Sequence, residues 1–130
     1  MKIKNYLIGS DPELFIVDAS KDNKIISSIG LIPGVKGSAY RPEELPEGFG
    51  LQIDNILAEF NIPPTSIKGD FVTSMIIMKD WIRKYVKSKN PNYDICCKAS
   101  ALVDEDQLQS EEAKLFGCSP DFNAWLLAQN

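Results

Sequence analysis

Two apolar runs in this chain carry carboxylates at positions where a strand would bury its side chains, and this limits the folds open to it. The first is Leu7-Ile8-Gly9-Ser10-Asp11-Pro12-Glu13-Leu14-Phe15-Ile16-Val17, and the second is Leu51-Gln52-Ile53-Asp54-Asn55-Ile56-Leu57-Ala58-Glu59-Phe60-Asn61-Ile62. A carboxylate buried among Leu, Ile and Phe is costly unless a cation pairs with it. The fold must therefore bring a positive charge to Asp11, Glu13, Asp54 and Glu59, or leave them a face open to water.

Side-chain parity sharpens the constraint. Asp11 and Glu13 are two apart, so an extended backbone turns both to one side. Asp54 and Glu59 are separated by an odd number of residues, so an unbroken strand would put them on opposite faces. A bulge or a turn within 55–58 reunites them. Pro12 donates no backbone N–H, which suits an edge or a bulge better than a central ladder position.

The remaining pattern gives an α+β order. A strand is expected over Tyr6–Asp18, interrupted near Gly9-Ser10, then a polar turn at Ser20–Asn23 and a return strand at Lys24–Ser28. Gly30, Pro33, Gly34, Gly37, Pro42, Pro46, Gly48 and Gly50 forbid a regular helix, so 30–50 reads as a long structured loop of a length that is often functional. Within it Lys36 follows Pro33-Gly34-Val35 and precedes Gly37. Flanking glycines allow its ammonium to approach an anion closely, although an exposed loop lysine fits the spacing as well.

After Pro63-Pro64, Thr65 or Ser66 is placed to cap a helix running to Lys87. Ile67, Phe71, Met75, Met78, Ile82 and Tyr85 lie on one helical face, widened by Val72, Ile76, Trp81 and Val86, and that is the spacing of core packing. Tyr93–Val103 reads as a further strand, and Asp104–Phe116 as a helix ending at Gly117. The apolar tail Phe122–Leu127, with Trp125, is expected to pack against something.

Composition narrows the function. At 130 residues the chain fits one domain, and a net charge of -4 disfavours nucleic acid as the main ligand. Lys79, Arg83, Lys84, Lys87 and Lys89 read as a solvated helix face. No apolar stretch approaches membrane-spanning length, and Met1–Leu7 does not resemble a signal peptide, so a cytoplasmic location without membrane contact is expected. There is no histidine for a zinc site of the Cys/His kind. Adjacent Cys96 and Cys97 point to opposite faces of a strand, and Cys118 reads as a small packed residue rather than a nucleophile.

Carboxylates converging from two strands suit Mg²⁺ or Mn²⁺, hard cations that take oxygen ligands and bridge phosphoryl oxygens. No P-loop sequence is present, so an ATP site here would be of another kind. A glycosidase-like acid/base pair is a formal alternative with nothing else to support it. A plain structural role is a third reading, with Asp11 making a turn and Glu59 pairing with a lysine.

Four blocks, Gly9–Phe15, Gly30–Gly37, Leu51–Pro64 and Phe116–Trp125, together resemble the phage-encoded carboxylate–amine ligases of type 2, relatives of glutamine synthetase and glutamate–cysteine ligase. The resemblance implies a curved antiparallel sheet of the glutamine-synthetase type packed on one long helix, as a partial domain. It implies that Asp11, Glu13, Asp54 and Glu59 are metal ligands and that Lys36 is catalytic. It also implies Mg²⁺ or Mn²⁺ as cofactor, with ATP, a carboxylate and an amine as substrates. A carboxylate would be phosphorylated by ATP, and the amine would then displace phosphate from the acyl phosphate to form an amide.

Two departures accompany the resemblance. Ile53 stands where the family usually has an acid, and the family continues into a Gly-His-containing block that this chain lacks. The expectation is an N-terminal portion of the ligase domain, inactive alone and completed by a C-terminal chain or a homo-oligomer. The alternative is a non-catalytic protein-binding remnant of the same scaffold.

Overall fold

The computed structural model describes residues 6–115 and has α+β architecture: a five-stranded, curled antiparallel sheet and one long helix. Its elements are β1 (Glu13–Asp18), β2 (Lys24–Ile26), β3 (Gly50–Asp54), β4 (Leu57–Asn61), α1 (Lys68–Lys89), β5 (Tyr93–Cys96) and the short α2 (Glu111–Lys114). Strand β1 lies at the centre. Its first two residues pair with β4, Ile16–Asp18 pair with β2, and Phe15–Asp18 pair with β5. Pro12 lies just before this ladder, where its missing N–H costs nothing, and its carbonyl accepts from Phe60 N at 3.0 Å. The expected edge or bulge at Pro12 and the expected strand start at Tyr6 are thereby corrected: β1 is an interior strand that begins at Glu13, after the proline.

Alternation along the strands makes two unlike faces. Leu14, Ile16, Leu51, Ala58 and Phe60 point to one side and form the main core with Met78, Ile82 and Val86 of α1. On the other side Val17 and Ile25 pack with Ile56 beneath Ala101, Val103, Leu108 and Ala113. The covering segment is tied down by Lys24, whose ammonium lies 2.7 Å from Asp106, and by Gln107, whose side-chain oxygen accepts from Ser27 N at 2.8 Å. The remainder of this second face holds the acidic side chains.

Helix α1 is buried along a narrower stripe than the sequence spacing predicts. Met78, Ile82 and Val86 are buried, and Phe71, Met75, Trp81 and Tyr85 pack partly against the core. Val72 and Ile76, expected to widen that face, are 47% and 52% exposed. Neither Thr65 nor Ser66 caps the helix. Its N-cap is Ile67, and Thr65 Oγ1 instead accepts from Ile67 N at 3.1 Å in the preceding turn. The basic patch is a solvated face partly satisfied by acids, with Arg83 3.0 Å from Asp80 and 3.1 Å from Asp94.

Downstream, the strand is shorter than expected and ends at Cys96. Residues 104–115 form two short turns, a 3₁₀ turn at Glu105–Gln107 and α2, instead of one helix. Cys96 is half-buried and Cys97 exposed. Gly117, Cys118 and the apolar tail around Trp125 lie outside the described residues. Among those residues no helix is long and apolar enough to cross a membrane.

Candidate functional site: an acidic cluster with a lysine at its centre

The second acidic run is a hairpin. β3 and β4 pair from Gly50↔Asn61 to Asp54↔Leu57, leaving Asn55 and Ile56 as a two-residue turn. Asn55 takes the left-handed conformation (φ 52°) that this tight reversal needs and that Asn tolerates better than most residues. The turn resolves the parity problem, because reversing the chain puts Gln52 directly opposite Glu59 and Asp54 on the same face. Across the next ladder Glu13 stands opposite Glu59.

Three of the four acids thus converge. One carboxylate oxygen from each of Glu13, Asp54 and Glu59 lies within 4.8 Å of the others. Asp11 is not in that group. It is exposed, one strand position outward, and lines a shallow depression with Gln52, Glu59 and Asn61.

Lys36 reaches the cluster through the loop's turn chemistry. Val35 N donates to Ser38 O and Ser38 N to Val35 O, at 3.1 and 2.8 Å, so Lys36 and Gly37 form the tip of a tight turn. Gly34 seats that turn on β3. Its φ is +88°, its carbonyl accepts from Ile53 N at 3.2 Å, and a Cβ there would stand 2.1 Å from the Leu51 carbonyl oxygen. From this tip the Lys36 ammonium donates to Asp54 Oδ2 at 3.0 Å and to Glu59 Oε2 at 3.4 Å. Gln52 Nε2 donates to the same Glu59 oxygen at 2.9 Å.

The side chains of Asp54 and Glu59 are only 11% and 15% exposed, whereas that of Lys36 is 49% exposed. A half-exposed cation thus meets two largely covered anions. Burial pushes the Glu13 carboxyl above its ordinary range, the Asp54 and Glu59 charges push it further, and Lys36 opposes them. The hydrogen bond to Asp54 holds the Lys36 ammonium above its ordinary value, with the Glu59 charge adding to it.

The donor set of the cluster is chemically that of a hard-cation site, oxygen only and negative. Lys36 already offsets part of its charge, so an incoming divalent ion would compete with the ammonium for Asp54 and Glu59. The sequence offered a lysine as a partner for Glu59, but not that this lysine is Lys36 or that it also pairs with Asp54. It also missed Gln52, whose placement opposite Glu59 follows once the hairpin register is known.

Beside the cluster lies a second feature with no sequence signal, a cavity of about 430 Å³ between the Lys36 turn, the β3 end and α2. Ile29, Val35, Ile53 and Leu115 give it apolar walls. Asn55 closes one side by donating from Nδ2 to the Leu115 carbonyl. No family model, curated protein or solved structure matches this chain.

Proposed function

We propose that this chain is the N-terminal part of an ATP-dependent, amide-forming ligase of the glutamine-synthetase type, with Glu13, Asp54 and Glu59 as its Mg²⁺ or Mn²⁺ ligands. The observation that carries the reading is the convergence of these three carboxylates with Lys36 on the sheet face opposite α1. Three sequence blocks that resemble the ligase family meet at this point, namely those holding Glu13, Lys36 and the Asp54–Glu59 hairpin. In this reading the metal supplies charge neutralisation for the phosphates of ATP. Lys36, released from Asp54, faces the phosphoryl oxygens as the substrate carboxylate attacks the γ-phosphorus and ADP leaves. The amine nitrogen then attacks the acyl carbon, phosphate leaves, and the nitrogen gives up a proton.

The ligand set proposed here is Glu13, Asp54 and Glu59, with Asp11 outside it. The protein acts with a C-terminal chain or a second copy that completes the nucleotide site.

A specific observation favours a second reading. Because Lys36 already offsets part of the charge of Asp54 and Glu59, the cluster also fits a structural feature of a scaffold that binds another protein without metal or nucleotide. Calorimetric titration of the chain with Mn²⁺ and then with Mg²⁺–ATP separates the two. Saturable Mn²⁺ binding that is lost in Glu13→Ala/Glu59→Ala is the expected result. Absence of both metal and nucleotide binding in the wild type would overturn the ligase reading in favour of the scaffold.

A further inference from the structure

The cavity beside the acidic cluster differs from it in kind. Its walls are apolar, contributed by Ile29, Val35, Ile53 and Leu115, and its volume of about 430 Å³ exceeds what a few waters need. One end is charged, where Lys36 and Asp54 line it and form their 3.0 Å ion pair. Glu112 also lines the cavity. An apolar hollow with a charged end suits a molecule that has an apolar tail and one polar head.

The sign of the head follows from the charges around it. Lys36 is the one cation among the residues forming this end. Facing it are Asp54 in the wall, Glu59 at 3.4 Å from the same ammonium, and Glu13 within 4.8 Å of both carboxylates. Glu112 in the lining adds a further negative charge. A carboxylate head would enter a field that is negative on balance, whereas an ammonium head would be attracted and would find oxygen acceptors.

We propose that this cavity binds a primary ammonium compound with an apolar tail of about four to six carbons, the head at Asp54 and the tail against Ile29, Val35 and Ile53. As the identity of the amine joined, this rests on the ligase reading, in which the bound ammonium first gives up a proton to solvent and attacks as the free amine. As a binding site, it stands on the cavity and its charges alone. The head shares Asp54 with the proposed metal ligands, so the nitrogen stands at the edge of that set.

The test is a titration of the full chain with isopentylamine, followed through ¹³C-methyl shifts of Ile29, Val35, Ile53 and Leu115, with neither ATP nor divalent metal present. Saturable shifts of these methyls are expected, with isopentanoate binding about tenfold more weakly because its head has the wrong sign. Val35 is 58% exposed, so Val35→Ser should leave the melting temperature in place. It should weaken isopentylamine binding roughly fivefold through lost apolar contact. Equal affinity for amine and carboxylate, or shifts that do not saturate or that centre on α1, would overturn the assignment. Since neither nucleotide nor metal takes part, the amine site can fail while Mg²⁺–ATP binding succeeds, and the reverse.

Discussion

Glu13 and Glu59 stand directly opposite one another across the β1–β4 ladder, a like-charge cross-strand pair of the kind that destabilises a sheet. Burial and its acidic neighbours raise the Glu13 carboxyl above its ordinary value of 4.5, so the folded chain holds that proton more tightly than the unfolded chain does. Stability therefore falls as pH rises from about 4.5 through the raised value, and stays lower above it. Glu13→Gln removes this dependence. In metal-free buffer the variant should be more stable than wild type at pH 7, and the advantage should vanish below pH 4.5, as read from urea midpoints across pH.

Lys36 is the cation that makes the cluster tolerable without metal. Lys36→Met should lower the metal-free melting temperature at pH 7 by about 2–4 °C, a modest amount because the ammonium is half in solvent. The same change removes the competitor for Asp54 and Glu59. Mn²⁺ should then bind about tenfold more tightly and restore the lost stability. Calorimetry paired with thermal melts checks both halves. A variant that melts lower and binds no metal would leave Lys36 a purely structural counter-ion.

Gly34 and Gly37 flank Lys36, both with positive φ, but their surroundings differ. A Cβ at Gly34 would collide with the Leu51 carbonyl at 2.1 Å, whereas one at Gly37 meets nothing within 4 Å. Gly34→Ala should cost roughly 3 kcal/mol or more and lift Lys36 off the acids. Gly37→Ala carries only the backbone penalty of about 1 kcal/mol. Denaturant unfolding of the two variants side by side measures the difference.

On α1, Met78 is fully buried and Val72 is 47% exposed although both are apolar. Met78→Ala should lose about 2–5 kcal/mol, by transfer and cavity formation. Val72→Ala should stay within roughly 0.5 kcal/mol of wild type, the better helix propensity of Ala offsetting its small contact loss. Equal losses would mean that the exposed flank of α1 is covered in solution.

Much of the fold was legible along the chain because it rests on local chemistry. The β-rich run Leu14-Phe15-Ile16-Val17, the polar turn before Lys24, the glycine- and proline-rich loop and the 3.6-residue spacing from Phe71 to Tyr85 each have a short-range cause, and each element appears where that cause operates. Element ends were less legible. The pattern predicts termini at Val103 and Phe116, but β5 stops at Cys96, and the described part of the last segment breaks into short turns held by Lys24 and Ser27. These are contacts about 80 residues away in sequence that no local window contains.

The sequence by itself determined that Asp11, Glu13, Asp54 and Glu59 needed a cation or an open face, since a carboxylate's cost of burial is intrinsic to it. It also narrowed the route by which Asp54 and Glu59 could share a face, because parity left only a bulge or a turn. Tertiary structure alone decided that Glu13 joins them while Asp11 does not, that Lys36 comes across from a loop to pair with two of them, and that an apolar cavity opens alongside. Those outcomes depend on the β1–β4 register and on Gly34 pressing against Leu51, and such through-space distances are set only when separate segments pack.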